Sequence, residues 1–168
     1  MKQQSFSNLE YENRKKKTRK DNLLETLEEI LPWADWTEAV QPYYYHKRRG
    51  RKPVGIESMI RMYVMQEVFG LSAELAEDGI YDSFAMRNFM NLDFFEDTVP
   101  DASTLQRFRR LLKKAGLDVK FETEMNEILK AKSLRLRKGH AEDAWLMKVS
   151  KRKKRTAKPA ANNGKTSK

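Results

Sequence analysis

Basic side chains that could bind phosphate occur in three clusters, at residues 14–20, 47–52 and 107–114. Lysine and arginine neutralise nucleic-acid phosphates and release their counterions. In the second cluster the cations follow three tyrosines at 43–45, and aromatic rings can stack on bases while cations reach the backbone. These residue types indicate a nucleic-acid surface. The competing interpretation is that each cluster is a solvated face and that the tyrosines pack into the core.

Composition excludes several other chemistries. The chain has no cysteine and two histidines, so disulfide frameworks, thiolate metal sites and thiol nucleophiles are excluded. His46 and His140 have no partner at metal-ligand or catalytic spacing, and neither is assigned a role. The glycines form neither a phosphate-binding loop nor a dinucleotide fingerprint. Nucleotide hydrolysis therefore has no support in the sequence.

The net charge of +10 is unevenly distributed along the 168 residues. Residues 1–132 carry 22 lysines and arginines against 22 acids, whereas residues 133–168 carry 12 against 2. From Thr156 onward valine, isoleucine, leucine and aromatic residues are absent, and such a segment buries too little apolar surface to offset its ordering entropy. We predict a basic N-terminal arm over 1–20, a helical domain over 21–132 and a basic, disordered tail over 133–168.

Apolar spacing predicts an all-α domain, because no stretch alternates convincingly with a period of two. Leucine and isoleucine recur every three or four residues from a cap at Asp21 to Leu31, where Pro32 stops the helix. A longer helix is predicted from Ile56 to a left-handed cap at Gly70. The remaining predicted features are helix starts at Ser72, Asp82, Ser103 and Asp118, a helix end at Gly116, a short helical turn between Trp33 and Pro42, and a basic loop over 43–55.

The predicted basic helix, Ser103 to Lys114, follows two short helices, which is the order of elements in a helix-turn-helix. The last helix of that motif enters the major groove with its N-terminal half leading, which favours Gln106 and Arg107 for base contacts. The connection 91–100 is longer and more acidic than an ordinary turn of this motif, so an amphipathic helix with a solvated basic face is the alternative. The predicted DNA-binding residues are Arg48, Arg49, Arg51 and Lys52 in the loop and Thr104, Gln106, Arg107, Arg109, Arg110 and Lys113 in the helix.

Ordered motifs over residues 14–116 carry a family resemblance. They begin with Ile30-Leu31-Pro32-Trp33 and Gly50-Arg51-Lys52-Pro53-Val54, and the longest is Met59-Ile60-Arg61-Met62-Tyr63-Val64-Met65-Gln66. On these motifs the chain resembles the N-terminal domain of InsH-like transposases, the insertion sequence 5 group of bacterial mobile elements. Shorter matches are Leu71-Ser72, Glu77-Asp78, Tyr81-Asp82-Ser83, Met86-Arg87, Pro100-Asp101, Thr104 and Phe108-Arg109.

The resemblance implies a helical domain that recognises the terminal inverted repeats of a mobile element during DNA transposition. Its expected partners are double-stranded DNA and, beyond that, a second copy or a full-length transposase. A bacterial cytoplasmic, nucleoid-associated protein is expected. The sequence agrees with this expectation, since it has no apolar run near the ~18 residues needed to span a bilayer and no secretory signal at its N-terminus.

Full-length members of this family are DDE recombinases, in which three carboxylates hold two divalent metal ions. The segment Lys138-Gly139-His140-Ala141-Glu142-Asp143-Ala144-Trp145 is similar to the family pattern Lys-Gly-x-x-x-Asp-Ala-Thr and places Asp143 on the first carboxylate. Glu142 departs from an apolar strand residue and Trp145 from the threonine. A two-metal site needs several carboxylates around ions ~3.5–4 Å apart, and no second or third follows here. Mg²⁺ is implied for the full-length family, and no complete metal site or cofactor for this chain.

We interpret the chain as the end-binding portion of such a transposase, inactive alone as an enzyme, whose sequence is truncated or passes into another frame soon after Asp143. Two alternatives stay open. The chain could be one half of an active transposase expressed by ribosomal frameshifting, or a regulatory or decayed fragment that occupies the element's ends without cutting.

Overall fold

The computed structural model describes residues 13–44, 53–92, 97–138 and 145–148. Two short strands in these ranges, β1 (Leu134–Arg137) and β2 (Trp145–Lys148), pair antiparallel with Leu134 opposite Lys148. All other regular structure in the described ranges is helical, so the predicted all-α class is confirmed. The helices within these ranges are α1 (Arg19–Ile30), α2 (Trp33–Tyr44), α3 (Ile56–Phe69), α4 (Ala73–Asp82), α5 (Phe84–Phe89), α6 (Ala102–Ala115) and α7 (Leu117–Ala131).

Helix α3 is the central element of the fold. It is apolar on nearly all sides, as expected of a helix surrounded by others, and α2, α4 and α6 pack against it. Gly70 ends the helix in the left-handed conformation, with φ 62°, as the sequence predicts. Met59, Met62 and Met65 are fully buried, so a methionine-rich stripe fills the core.

A buried arginine on α3, Arg61, joins the helices around it. Only 4% of the residue is exposed. Its guanidinium donates to both carboxylate oxygens of Glu28 on α1 and, through Nε at 2.9 Å, to Glu57 Oε1. It also donates to the carbonyl oxygen of Phe89 on α5 at 2.7 Å and lies over the ring of Trp33 on α2, 4.5 Å from its centroid.

This arrangement satisfies a charge that burial would otherwise disfavour. Burial acts to lower the pKa of Arg61, but the hydrogen bonds that it donates to Glu28 and Glu57, together with their negative charges, outweigh burial and the pKa is raised. A guanidinium suits the position because its planar fork can donate to several acceptors at once. One side chain therefore fixes how α1, α2, α3 and α5 meet.

Aromatic packing joins α2 to α7. Trp36 is buried and stacks on Phe121, with ring centroids 4.5 Å apart and planes inclined by 19°. The indole Nε1 of Trp36 donates to Glu124 Oε2 at 2.6 Å, because a buried indole N–H needs an acceptor. Trp33 packs edge-on against Trp36. Trp36 is thus part of the core, and the partly buried Trp33 packs against it.

Several helix starts differ from the predicted ones. Helix α1 is capped by Thr18, and the predicted cap Asp21 is its reciprocal partner in a capping box. Ser83 rather than Asp82 caps α5, whereas Ser72 caps α4 as predicted. At the last two helices the predicted caps lie one or two residues inside: the observed N-caps are Asp101 for α6, not Ser103, and Gly116 for α7, not Asp118.

Helix α2 continues through Pro42 to Tyr44, so the prediction that it is a short turn ending before Pro42 was wrong. Proline removes one backbone donor, which leaves the carbonyl of Glu38 without its helical partner. Glu38 and Pro42 are both exposed, and water can satisfy that carbonyl. The last turn is then held by the Tyr44 hydroxyl, which donates to the Val54 carbonyl at 2.9 Å.

The predicted disordered tail over 133–168 requires correction at its beginning. Leu134–Arg137 and Trp145–Lys148 form the paired strands, and β1 packs against α7. Leucine and arginine alternate in β1, with the leucines turned inward, but four residues are too short a pattern to identify from sequence. Residues 139–144 and 149–168 lie outside the described part of the chain.

Replacing Arg61 with alanine should destabilise the fold by about 3 kcal/mol, at the lower end of the cost of breaking a buried ion pair. The lower end is expected because the Glu28 and Glu57 side chains are 46% and 49% exposed and can be rehydrated. Arg61→Lys should recover only part of the stability, since an ammonium lacks the fork. Urea denaturation measures both. The exposed Arg110→Ala is the matched control, expected within about 0.5 kcal/mol of wild type, and an equally small effect of Arg61→Ala would contradict this role for the guanidinium.

Candidate nucleic-acid interface

Helix α6 is fixed in position at both ends. At its start, Asp101 Oδ1 accepts from the Thr104 backbone N–H at 2.6 Å and from the Ser103 hydroxyl at 2.8 Å. Glu77 on α4 accepts from the Ala102 N–H at 2.7 Å. At its end, Gly116 has φ 69° and donates to the last carbonyls. The helix is therefore a rigid platform for the side chains on its outer face.

The inner face of α6 packs on the core through Leu105, Phe108 and Leu112, all buried. Arg109, at the edge of this face, donates to Gln66 Oε1 at 2.7 Å and to Glu67 Oε1 at 2.6 Å. Its guanidinium also lies over the Tyr63 ring, 5.6 Å from the centroid. Arg109 is thus engaged with α3 in this structure, and its assignment to DNA stays a prediction.

The outer face of α6 is a continuous band of exposed polar and basic residues. At about 100° per residue, the exposed positions fall within roughly a third of the helix circumference. The helix contains no acidic residue, and among the residues the structure describes no hydrogen bond or ion pair involves Arg110, Lys113 or Lys114. We call this band the basic stripe; its members are Ser103, Gln106, Arg107, Arg110, Lys113 and Lys114.

One side of the basic stripe borders acidic side chains. An open groove there is lined by Glu67, Asp118 and Glu122, opposite Arg110 and Lys113. Tyr63 lies in the same groove, and burial, followed by the nearby Glu67 carboxylate, raises its pKa to about 12, so its hydroxyl stays protonated at neutral pH. Nearer the helix start, Gln106 Nε2 donates to Glu74 Oε1 at 3.4 Å. Phosphate is disfavoured on this side.

The other side of α6 borders the ends of the predicted basic loop. Tyr44 packs edge-on against Phe108, with centroids 5.9 Å apart, and is hydrogen-bonded to Val54. Tyr44 and Val54 therefore lie close to each other, with Tyr44 packed on α6. Arg48, Arg49, Arg51 and Lys52 belong to the predicted loop, of which residues 45–52 lie outside the described residues.

The structure brings together much of the predicted site. Gln106, Arg107, Arg110 and Lys113 share the basic stripe, and Thr104 is half-buried beside it. Sequence reasoning left out Lys114, although its spacing of four from Arg110 and seven from Arg107 places it on the same face. Asp143, the predicted first catalytic carboxylate, lies outside the described residues.

The N-terminal basic cluster is partly neutralised by its own neighbours. Arg14 contacts the buried Asp21 at 3.3 Å, and Lys17 contacts Glu25 at 2.8 Å. Lys20 lies over the Phe69 ring at 5.9 Å. These contacts make the cluster a weaker candidate for phosphate than the basic stripe.

No group of three or more histidine, aspartate or glutamate side chains within the described ranges is arranged to hold a metal ion. None of the described helices is both long enough and apolar enough to cross a membrane.

A family model described as a transposase domain, DUF772, matches residues 12–111. The match covers α1 to α5 and most of α6. It includes the members of the basic stripe from Ser103 to Arg110. No solved structure matches the chain.

Asp101→Ala should destabilise the fold by about 1 kcal/mol through loss of the α6 cap, whereas Asp101→Asn should preserve the cap. Hydrogen bonds from the Thr104 backbone N–H and then the Ser103 hydroxyl lower the pKa of Asp101. The charged form therefore adds stability above the ordinary aspartate pKa, and this contribution disappears as the pH falls through the lowered value. Asp101→Asn should lack that part of the acid destabilisation, measured by urea denaturation at about pH 7 and about pH 3. An unchanged pH dependence in the asparagine variant would contradict this assignment.

Proposed function

The chain belongs to the family of transposase domains described as DUF772, and we propose that it is the double-stranded-DNA-binding portion of an insertion-sequence transposase. The observation that carries the proposal is the basic stripe, which is rigidly mounted, free of acids along its own helix and exposed. A helix of this kind fits the major groove, where side chains meet base edges and flanking phosphates.

The two halves of the basic stripe have different surroundings and so suit different contacts. Near the helix start, Glu74, Glu77 and Asp101 place negative charge beside Gln106 and Arg107. Carboxylates repel phosphates, so this half suits base edges rather than the backbone. Arginine paired with guanine and glutamine paired with adenine are the common bidentate contacts.

The second half of the basic stripe suits the phosphate backbone on the side of the stripe that faces away from the groove lined by Glu67, Asp118 and Glu122. Arg110 and Lys114 are four residues apart on one face, which places their Cα atoms about 6 Å apart along the axis. Phosphates on one DNA strand follow one another at about 3.4 Å along the duplex axis, so two flexible cations at this separation can reach phosphates of the same strand. Cations of this kind fix the position of a protein on the duplex without reading sequence.

The second basic cluster lies in the sequence between Tyr44, which packs against Phe108 of α6, and Val54, which Tyr44 hydrogen-bonds. We assign its Arg48, Arg49, Arg51 and Lys52 to phosphates flanking the contacted groove. In this arrangement α4 and α5 act as the bracing helices of a helix-turn-helix variant. The variant has a long connection, because residues 90–101 separate α5 from α6, where an ordinary motif has a turn of three or four residues.

The assignment to one particular group of transposases rests on the sequence motifs. We assign the chain to InsH-like transposases, with the terminal inverted repeats of the element as the specific DNA and a second copy or full-length transposase as protein partner, in the bacterial cytoplasm at the nucleoid. Asp143 would be the first of the family's Mg²⁺-binding carboxylates, and the chain would be inactive alone. Coding sequence for further acidic motifs in another frame would favour the frameshift alternative, and its absence would favour a regulatory or decayed fragment.

Binding to duplex DNA should depend strongly on salt, and removing two phosphate-binding cations should reduce that dependence. Each phosphate that is no longer neutralised lowers the slope of log affinity against log salt by about 0.9, so Arg110→Ala with Lys114→Ala should lower it by about 2. Fluorescence anisotropy at several salt concentrations measures the slope. The matched control replaces Lys120 and Lys130, which are exposed on α7, and should leave the slope close to that of wild type. Equal slopes in all three proteins would exclude the second half of the stripe as a phosphate-binding surface.

Arg107→Ala and Gln106→Ala should reduce discrimination between the element's terminal repeat and scrambled DNA, because a base contact contributes about 1–3 kcal/mol of discrimination. Arg48→Ala should instead weaken binding to both duplexes alike, since a phosphate contact carries no sequence information directly. Competition titrations with the two duplexes give the ratio. If Arg107→Ala left the ratio unchanged, α6 would not be the reading helix.

A further inference from the structure

Helix α4 exposes an acidic face that extends beyond its contacts with α6. Its ten residues include Glu74, Glu77, Asp78 and Asp82 and no lysine or arginine. Two large apolar side chains, Leu75 and Tyr81, flank these acids and are 54% and 51% exposed. Acids and exposed apolar groups together indicate a surface for a basic protein partner rather than for nucleic acid.

This acidic face is continuous with the basic stripe. Along α6, Ala102 contacts Glu77 and Gln106 contacts Glu74. From Ala102 to Gln106 the residue numbers rise along α6, while those of the contacted residues on α4 fall from Glu77 to Glu74. The two helices therefore run in opposite directions. Asp78 and Asp82 consequently lie beyond one end of the contact, and the second half of the basic stripe lies beyond the other. The result is one surface with an acidic end and a basic end.

The side chains at the acidic end and at the basic end of this surface recur at the same interval along their helices. On α4 the acids follow one another at intervals of four, as Glu74, Asp78 and Asp82. On α6 Gln106, Arg110 and Lys114 do the same. Each row extends about 12 Å along its helix, with the Glu74–Gln106 hydrogen bond at the boundary between the rows. A two-fold rotation about an axis at this boundary would place Asp78 and Asp82 of one copy opposite Arg110 and Lys114 of the other.

We propose that the α4–α6 surface binds the same surface of a second copy of this chain in a two-fold dimer. In each copy Asp78 and Asp82 face Arg110 and Lys114 of the other, and Leu75 and Tyr81 close the contact. An interface around a two-fold axis must be self-complementary, and this surface is. Among the described basic clusters, the stripe is also the one whose cations are not paired with acids of their own helix, unlike Lys17 with Glu25.

The contact should be weak and sensitive to salt. Two short helix faces bury less than the ~1,200 Å² of a standard stable interface, and exposed ion pairs are screened as ionic strength rises. Because the dimer would cover Arg110 and Lys114, it would also compete with DNA; this one consequence rests on the proposed function, whereas dimerisation itself does not.

Sedimentation velocity of the full chain without DNA, from micromolar to near-millimolar protein and at low and high salt, tests the dimer. Wild type should shift from monomer to dimer as concentration rises, and the shift should weaken in high salt. Two charge-reversed variants sharpen the test: Asp78→Lys with Asp82→Lys, and Arg110→Glu with Lys114→Glu. Each variant alone should stay monomeric, since like charges would meet, and an equimolar mixture should dimerise.

A matched control reverses Glu127 and Lys130 on α7, both exposed and outside the surface, and should dimerise like wild type. Circular dichroism confirms that every variant is folded. The proposal is overturned if the wild-type protein stays monomeric at all concentrations. It is also overturned if either variant alone dimerises like wild type, if the mixture stays monomeric, or if open-ended oligomers replace the dimer. None of these results depends on whether the chain binds DNA.

Discussion

The buried guanidinium of Arg61 is the contact on which the arrangement of the helices depends. It pairs with Glu28 and Glu57, donates to the Phe89 carbonyl and stacks on Trp33, so four helices meet at one side chain. Desolvating a charge is costly, and a buried ion pair adds little net stability compared with apolar packing. Its contribution here is geometric, because only one arrangement of α1, α2, α3 and α5 satisfies all its donors. That arrangement fixes α3, and α3 supports α6.

Charge is partitioned between neighbouring helices rather than mixed over the surface. Helix α6 carries cations without acids, and α4 carries acids without cations. Contacts between them, from Glu77 to the Ala102 N–H and from Gln106 to Glu74, hold the two kinds of surface side by side. In the proposed function, acids at the start of α6 leave phosphate to its second half, and the same arrangement leaves an acidic face exposed on α4.

Local signals made part of this structure predictable from sequence. Glycines that follow apolar stripes identified the left-handed ends at Gly70 and Gly116, and helical spacing identified the outer face of α6. Other features depend on tertiary partners that a single sequence does not reveal. Charged residues are rarely buried, and nothing local distinguishes buried Arg61 from a surface arginine. Arg109 likewise contacts α3 only because the fold brings Glu67 beside it. Pro42 does not end α2, because this end of the helix is exposed to water and is anchored by the Tyr44 hydroxyl.

In the proposed function, the fold presents Arg107 and Arg110 to DNA and keeps Arg61 and Arg109 engaged within the protein. Arginine Nε resonances report on each guanidinium separately, so an NMR titration of the labelled chain with duplex DNA tests this division of the arginines. The Arg107 and Arg110 signals should shift in proportion to bound DNA, while those of Arg61 and Arg109 stay in place. Unmoved Arg107 and Arg110 signals in a chain that binds the duplex would contradict it.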